Sequence, residues 1–323
     1  MRDLFRLVPE EARKRLRRRS QPAWLDPMLA TLSREPFSDP DWLFEAKLDG
    51  IRCLVFRKGR EVHLYSRNRL GLNSSFPTLV APLLEQQQTD FIADGEIVAM
   101  ENDVSRFELL QRRMQMHIPV FYYLFDVLYI AGHDVTHLEL RYRKELLRHA
   151  LTFEDPLRFS EHREGDGEGY FREACRSGWE GLIAKRADSQ YVHQRSRDWL
   201  KLKCENQQEF VILGYTDPEG QRVGIGALLV GVYAKGTLVY AGKVGTGFDS
   251  VSLKDLRKRL SAIERNSPPC DDPSVPKNKV HWVQPKLIAQ VAFTEWTAAG
   301  KLRHPRYLGL RIDKKPAEVV RES

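Results

Sequence analysis

The chain has 323 residues, a formal net charge of +7, 42% hydrophobic residues and 29% charged residues. This length and composition are ordinary for a two-domain globular protein; with no long apolar stretch and no signal-type N-terminus, we expect neither a membrane span nor secretion. The basic balance favours a polyanionic partner, most often nucleic acid.

The first twenty residues carry a cluster of basic side chains. Its members are Arg13, Lys14, Arg15, Arg17, Arg18 and Arg19. Such a cluster is either a solvated helix face or a contact for phosphate backbone, and the residues alone leave both interpretations open.

Short strands and helices alternate from about residue 42 to residue 204. Runs of β-branched and aromatic residues predict strands at 42–47, 51–56, 61–66, 91–98 and 120–129, and further strands ending at Ala184 and Leu202. Apolar residues at helical spacing predict helices near 79–84, 106–116, 141–151 and 168–177.

The composition changes after Cys204. Short apolar runs at 210–215, 227–233, 237–240 and from 291 predict strands parted by Gly-rich turns, with one helix near 252–264. Such a set is typical of a small β-barrel of OB type. We therefore predict a basic segment over 1–20, one domain over 21–204 and a barrel domain over 205–323.

The four cysteines, Cys53, Cys175, Cys204 and Cys270, show no Cys-x-x-Cys pair and no regular spacing. Zinc sites and disulfide frameworks generally show such spacing, so we predict four reduced thiols.

The segment Glu45-Ala46-Lys47-Leu48-Asp49-Gly50-Ile51-Arg52 is the sharpest local feature. A lysine in a dry, cation-rich pocket loses its proton near neutral pH and becomes a nucleophile, and a fixed arginine charge close by can hold a phosphate. The alternative is a hairpin with ordinary surface charges, which is the better interpretation of this segment taken alone.

Other charged residues lie in similar apolar settings along the chain. Lys201 and Lys203 alternate with leucines, so both side chains point to one side of a strand. Together with Lys185 they suit a triphosphate, while Glu96 and Glu180 suit a divalent metal. Several such charges of both signs indicate one polar site on a β scaffold.

These segments, in this order, resemble the motifs of the covalent nucleotidyltransferases, which include ATP-dependent DNA ligases. The matching segments are Lys47-Leu48-Asp49-Gly50-Ile51-Arg52, Ser66-Arg67-Asn68, Asp94-Gly95-Glu96 with Phe121-Tyr122-Tyr123-Leu124-Phe125-Asp126, Glu180-Gly181-Leu182-Ile183-Ala184-Lys185, Trp199-Leu200-Lys201-Leu202-Lys203 and Arg311-Ile312-Asp313-Lys314. The stretches 291–297 and 304–311 look most like the ligase modules of bacterial end-joining ligases. The resemblance implies an α+β fold, with an adenylation (nucleotidyltransferase) domain of antiparallel sheets and flanking helices, followed by a C-terminal OB-fold barrel.

The resemblance also implies residue roles. Lys47 would attack the α-phosphate of ATP and carry AMP, Glu45 would read the adenine amino group, and Phe125 would stack on the adenine ring. Arg52 and Arg67 would hold ribose and phosphate groups. The cations implied for phosphate are Lys185, Lys201 and Lys203 for AMP, and Arg311 and Lys314 for the departing pyrophosphate.

Carboxylates complete the implied site. Glu96 would contact the ribose or the metal, and Glu180 would bind the metal, which would be Mg²⁺ or Mn²⁺. Asp49 would either bind metal or set the turn. The implied catalytic set is Lys47, Asp49, Arg52, Lys185, Lys201 and Lys203.

The implied substrate is nicked or broken duplex DNA, with a bacterial Ku-like end-binding protein as a further partner. We expect a monomer in the bacterial cytoplasm, associated with the nucleoid, and either a stand-alone ligase or an excised module. Two alternatives stay open: an RNA ligase or capping guanylyltransferase with the same lysine chemistry, and a non-catalytic β-rich DNA-binding protein.

Overall fold

The computed structural model of the protein describes residues 4–14, 16–218, 223–276 and 279–322. Arg15 of the basic N-terminal cluster lies outside these ranges. The chain separates into two compact units, Met1–Cys204 and Glu205–Ser323. The functional assignment of each unit, and of residues 1–20 as a segment of its own, stays a prediction.

The first unit is built mainly of strands. Its strands, within the described ranges, are β1 (Arg17–Arg18), β2 (Leu29–Ser33), β3 (Asp39–Ala46), β4 (Ile51–Lys58), β5 (Glu61–Ser66), β6 (Asp90–Glu101), β7 (Val104–Ser105), β8 (Val120–Ile130), β9 (His133–Asp134), β10 (Leu157–Phe159), β11 (His162–Gly165), β12 (Gly181–Arg186) and β13 (Arg195–Lys203). Its helices are α1 (Glu10–Arg13), α2 (Val80–Leu84), α3 (Phe107–Met116), α4 (Leu140–Ala150) and α5 (Gly167–Arg176), with short 3₁₀ turns at Leu4–Leu7 and Pro77–Leu79.

The larger sheet of this unit has the strand order β1-β9-β8-β6-β4-β5, with β10 added to β8 and β7 added to β6. Side chains alternate along β4, so that Cys53 and Val55 enter the main core while Leu54 and Phe56 face the other way. Burial of one apolar side chain such as Val55 or Leu54 stabilises the fold by roughly 1.5–3 kcal/mol. Arg52 therefore lies on the face turned away from the main core.

The smaller sheet has the order β11-β3-β12-β13-β2. One face, with Phe44, Leu182 and Leu202, packs against Tyr170 and Ala174 of α5. Alternation places the odd-numbered residues on the other face, where Ile183 of β12 lies opposite Glu45 and Lys201 of its two neighbouring strands. Each sheet of the unit thus presents one face that carries charged side chains.

The second unit is a barrel. Its strands, for the part of the chain that is described, are β14 (Asn206–Thr216), β15 (Leu228–Ala234), β16 (Thr237–Val244), β17 (Glu264–Arg265), β18 (Val280–Val283), β19 (Ile288–Phe293), β20 (Glu295–Trp296), β21 (Leu302–Arg303) and β22 (Arg306–Arg311). Its helix is α6 (Ser250–Ser261), and a 3₁₀ turn lies at Pro316–Glu318.

Strand pairing closes this barrel. Five strands of the seven-stranded sheet run in the order β16-β15-β14-β19-β22, and β18, followed by β17, also pairs with β14. A bridge between Thr246 and Arg306 joins the two ends of the five-stranded row. Closure removes exposed strand edges, as expected of an OB barrel. Helix α6 begins after Asp249, whose Oδ1 accepts a hydrogen bond of 2.7 Å from the Ser252 amide while the Ser252 hydroxyl accepts one from the Asp249 amide, a capping box.

The prediction of four reduced cysteines is wrong for two of them. Cys175, in the last turn of α5, is disulfide-bonded to Cys204, which follows β13, with their Cα atoms 5.3 Å apart. The fold brings together two residues that are 29 positions apart in the sequence, a spacing that matches no local motif. Cys53 and Cys270 are free.

Among the helices of the described ranges, none is long and apolar enough to cross a membrane.

Candidate active site

Lys47 follows directly after β3, and its backbone amide donates a hydrogen bond of 2.9 Å to the Gly181 carbonyl. This contact holds Lys47 beside the start of β12. Its ammonium group forms an ion pair with the carboxylate of Glu180, and the two side chains are 17% and 5% exposed. The lysine is thus partly buried, and its charge is neutralised.

The electrostatics of Lys47 differ from the sequence interpretation. Burial acts to lower the pKa of Lys47, but the carboxylates of Glu180, Asp49 and Glu96 outweigh burial and raise it above 10.5. The interpretation that Lys47 loses its proton near neutral pH in a cation-rich pocket is therefore wrong for this arrangement. The reason is that carboxylates, rather than cations, lie nearest to its ammonium group.

Asp49 sits in the turn between β3 and β4. Its Oδ2 accepts a hydrogen bond of 3.1 Å from the Phe107 amide at the start of α3, and its own amide donates one of 3.0 Å to the Ser105 hydroxyl. Both contacts fix the turn that leads from Lys47 into β4. They fit the turn-setting role, one of the two left open for Asp49.

Arg52 is held by a bidentate pair with Asp94, in which both N–O distances are 2.5 Å. The Tyr191 hydroxyl donates a further hydrogen bond of 2.6 Å to Asp94 Oδ2, and the Met28 carbonyl accepts one from Arg52. Burial alone would lower the pKa of Arg52, but Asp94 outweighs it and raises the pKa, so this guanidinium is a permanent cation.

Glu45 is the centre of a second buried cluster. Its Oε1 accepts from Lys144 at 2.8 Å, and its Oε2 accepts from Lys185 at 2.9 Å and from the Ser160 hydroxyl at 3.0 Å. Burial would raise the pKa of Glu45, but the two ammonium groups outweigh it and lower the pKa to about 2. Burial lowers the pKa of Lys185 to about 8, against the pull of Glu45.

Aromatic rings line the same region. The Lys185 ammonium lies 4.1 Å from the centroid of the Phe125 ring and 4.4 Å from that of Trp199. Arg52 lies 4.6 Å from the Phe125 ring. Phe125 is therefore contacted by cations from both sheets of the unit.

The structure thus brings Glu45, Lys47, Arg52, Phe125, Glu180 and Lys185 into one region of the first unit. Glu96 joins them, because it lies opposite Arg52 in the sheet and acts electrostatically on Lys47. Lys201 lies opposite Ile183, Lys203 lies opposite Gly181, and Arg67 follows the end of β5. The roles implied for all of these residues stay predictions.

A cavity of about 250 Å³ opens beside Lys47. Its walls include four aromatic side chains and the Ser160 of the Glu45 cluster, the aromatic ones being Tyr123, Phe159, Tyr170 and Trp179. Apolar walls with a few convergent polar groups are typical of small-molecule sites.

Arg311 and Lys314 lie in the second unit, where each is paired with a carboxylate. Arg311 forms a bidentate pair with Asp313 at 2.9 and 2.8 Å, and Lys314 is paired with Glu209. The roles implied for both cations also stay predictions.

Sequence reasoning missed Lys144 and Tyr191 as parts of the site, and it assigned no role to Asp94 although that residue lies in a motif segment. A signal for Lys144 was present, because Leu140, Arg143, Lys144 and Leu147 share the buried face of α4. Arg143 and Lys144 lie three and four residues after the core residue Leu140, so both cations are buried with it and need buried carboxylates as partners. The structure supplies Asp126 for Arg143 and Glu45 for Lys144.

Two family models match the chain. The one described as ATP dependent DNA ligase domain matches residues 27–203, more than half of the sequence. The chain belongs to the ATP-dependent DNA ligase family. The model described as ATP dependent DNA ligase C terminal region matches residues 221–314 of the same chain. Both domains of these ligases are present, which confirms the family that the motifs predicted.

Curated relatives of this ligase chain include end-joining proteins. The multifunctional non-homologous end joining protein LigD of Pseudomonas aeruginosa is 38% identical over 311 residues, which are 93% of this chain and 37% of the relative. The corresponding LigD of Mycobacterium tuberculosis is 37% identical over 304 residues, 92% of this chain and 40% of the relative. The ligase chain spans about two fifths of the length of these relatives.

Solved ligase structures share the fold. A mycobacterial DNA ligase D complexed with ATP and MES is 35% identical, with a TM-score of 0.68 over 92% of this chain and 98% of that one. The ligase domain of LigD from M. tuberculosis is 36% identical, with a TM-score of 0.51 and the same coverage. These matches confirm the predicted fold class, an adenylation domain followed by an OB domain.

Proposed function

We propose that this chain seals breaks in duplex DNA with ATP, by way of AMP carried on Lys47. The observation that supports this most is the ion pair between Lys47, whose side chain is 17% exposed, and Glu180 beside an aromatic cavity in the ligase domain. A lysine nucleophile divides one difficult condensation into separate phosphoryl transfers.

The residues of the site fit ATP. Phe125 offers a ring face for the base, and Glu45 offers a carboxylate that accepts from the amino group of adenine. Arg52 and Lys185 supply positive charge for ribose and phosphate oxygens. The similar mycobacterial DNA ligase D was solved as a complex with ATP, which agrees with this assignment.

The carboxylates fit a divalent cation, Mg²⁺ or Mn²⁺. Glu180 and Glu96 both act on Lys47, so both lie near the atom at which phosphoryl transfer would occur. Hard cations prefer carboxylate oxygens together with substrate phosphates. When bound, such a cation would neutralise charge on the phosphates, and Glu96 and Glu180 are the residues that would hold it.

The chemistry requires that Lys47, whose ammonium group pairs with Glu180 in this structure, first lose its proton to solvent. The Lys47 nitrogen then attacks the α-phosphorus, a P–N bond forms, and pyrophosphate leaves. Next, an oxygen of the DNA 5′-phosphate attacks the same phosphorus, breaking the P–N bond and forming DNA-adenylate. Finally the 3′-hydroxyl attacks the 5′-phosphate, and AMP leaves with the bonding electrons.

Cations complete the assignment. Lys201 and Lys203 share the charged face of β13 and would stabilise the AMP phosphate, while Arg67 would serve the DNA 5′-phosphate. Arg311 and Lys314 would orient pyrophosphate. Each role requires that its present partner be exchanged for a phosphate, as between Arg311 and Asp313.

The biological role is proposed from the relatives. Proteins named for non-homologous end joining match nearly the whole of this chain, so we propose double-strand break repair, with a Ku-like protein as the recruiting partner. The chain spans only about two fifths of those relatives, and the proposal concerns strand sealing alone.

The test is incubation with labelled ATP and Mg²⁺ after treatment with pyrophosphate to strip any bound AMP. Acid-labile label should appear on the native chain and on Lys58→Ala, a control at an exposed strand end, but not on Lys47→Ala. Absence of label from the native chain would refute the proposal and favour a DNA-binding protein without catalysis. Labelling by GTP instead would indicate a capping enzyme, and sealing of RNA but not nicked DNA would indicate an RNA ligase.

A further inference from the structure

We propose that Lys144 is a positioning residue that fixes the Glu45 carboxylate for adenine and thereby sets the preference for ATP over GTP. The inference deepens the proposed function and rests on it. Lys144 belongs to none of the motif segments that identify the site, and it enters from helix α4 rather than from a strand.

Lys144 is held by the scaffold of the first unit. Its ammonium donates to Glu45 Oε1 at 2.8 Å and to the Ser160 carbonyl at 3.0 Å, and it lies 4.6 Å from the centroid of the Phe159 ring. The lysine side chain is 2% exposed and the Glu45 side chain is 3% exposed. A buried carboxylate with so little access to water depends on its counter-ions for charge and orientation.

The two lysines on Glu45 differ in what else they contact. Lys185 lies over the ring of Phe125, the face on which the base is proposed to stack. A base on that face must displace Lys185, and the phosphates offer that ammonium new partners. Lys144 is bonded instead to a backbone carbonyl, so it remains as the counter-ion of Glu45 when Lys185 leaves.

The retained pair has a chemical consequence for the base. Adenine presents an amino donor at the position where guanine presents a carbonyl acceptor, and an ionised carboxylate attracts the first and repels the second. A site that is built to bond a donor group rejects the analogue without it strongly. By keeping Glu45 ionised and fixing Oε1, Lys144 directs the remaining acceptor sites of the carboxylate to the base.

The experiment measures binding rather than turnover. Protein stripped with pyrophosphate is titrated calorimetrically with the α,β-methylene analogues of ATP and GTP, which cannot transfer a nucleoside monophosphate. We expect Lys144→Met to weaken binding of the ATP analogue by about tenfold or more and to leave the affinity for the GTP analogue nearly unchanged. Lys144→Arg keeps the charge but moves the donor atoms, so it should lose less of the preference than Lys144→Met, about threefold. Arg141→Met, on the same helix but paired with Glu139 at the surface, should match the native chain.

A pH series separates positioning from mere structural support. Without Lys144, burial makes Glu45 easier to protonate, so ATP-analogue binding by Lys144→Met should weaken as the pH falls from about 8 to about 5. The native chain should show no acid limb from Glu45, because the pKa of Glu45 is about 2. The series is repeated with His162→Gln in both chains, since His162 lies opposite Glu45 and burial lowers its pKa from 6.5. An ATP preference unchanged in Lys144→Met, or equal losses for both analogues with no acid limb, would overturn the inference.

Two further outcomes are informative. Should Lys144→Met fail to fold by circular dichroism, Lys144→Arg decides the matter, because it moves the donor atoms and should reduce the ATP preference at least about threefold. A full preference in Lys144→Arg would then overturn the inference. Failure of the proposed function is distinguishable, since the native chain would then take no label from ATP.

Discussion

Replacing Glu45 with glutamine should strongly destabilise the first unit. The change removes the negative charge that neutralises Lys144 and Lys185, whose side chains are 2% and 3% exposed. The pKa of Glu45 is lowered from 4.5 to about 2, which corresponds to a stabilisation on the order of 3 kcal/mol. Breaking a buried pair by removing one partner costs about 3–5 kcal/mol, so both figures agree on the size of the loss.

The loss should depend on pH in a defined direction. Because the pKa of Glu45 is lowered in the folded protein, its stabilisation is complete above about pH 4.5 and is lost as the pH falls towards 2. The pKa of Lys185 is lowered from 10.5 to about 8, so the free energy of unfolding rises as the pH increases between these values. Removing Glu45 lowers the pKa of Lys185 further, so the deficit of Glu45→Gln should shrink as the pH rises towards about 8 and stay constant above it.

The assay is urea unfolding followed by circular dichroism at about pH 3, 7 and 9.5. Glu161→Gln is the matched control, because Glu161 is 70% exposed and pairs with Arg148 at the surface, where such pairs contribute about 0–1 kcal/mol. A Glu45→Gln variant within about 1 kcal/mol of the native chain at pH 7 would refute the view that this cluster is mutually dependent.

Three further predictions concern the surroundings of Lys47. Glu180→Gln should lower the pKa of Lys47, since Glu180 is the largest influence that opposes burial; NMR titration of ¹³C-dimethylated Lys47 checks this, and an unchanged titration contradicts it. Gly181→Ala should lower the free energy of unfolding of the first unit by roughly 1–3 kcal/mol or more, because the φ of Gly181 is +145° and an added Cβ would lie 1.9 Å from the Leu202 carbonyl oxygen. Gly178→Ala is the control: its φ is +74° but its Cβ would meet open space, so urea unfolding should show a smaller loss. Cys175→Ser should abolish the dependence of the melting temperature on dithiothreitol, since the disulfide closes a loop of 29 residues worth roughly 3–4 kcal/mol; a dependence that persists in this variant would show that another group responds to the reductant.

Local patterns sufficed for much of the fold. The alternation in Glu61–Ser66 predicted strand β5 with its observed bounds, and the apolar spacing around Phe107 predicted α3 within one residue at its start. These elements are specified by side-chain period alone. The motif segments likewise identified Lys47 and Glu180, which the structure places in contact.

What local pattern could not supply is the identity of long-range partners. Lys144 and Glu45 are 99 positions apart, and the sequence around either residue does not indicate that they pair. The Cys175–Cys204 pair depends in the same way on the packing of α5 against the smaller sheet. The predicted direction of the Lys47 pKa shift was wrong for the same reason. The shift depends on which charged groups the fold places nearest to Lys47, and Glu180 is 133 residues away in the sequence.

The site is arranged as a set of exchangeable ion pairs. Three cations of the first unit that serve the proposed chemistry are each paired with a carboxylate in this structure: Lys47 with Glu180, Arg52 with Asp94 and Lys185 with Glu45. Such pairing keeps buried charges compensated, which a cluster of cations alone would not achieve. A triphosphate bound to these cations would leave carboxylates in need of positive charge, and the divalent cation proposed for Glu180 would supply it there. Glu45 is different, because Lys144 remains beside it and no metal is required there. The pairs therefore divide the site into a part that exchanges partners with phosphate and metal, and a part around Glu45 that keeps its charge for the base.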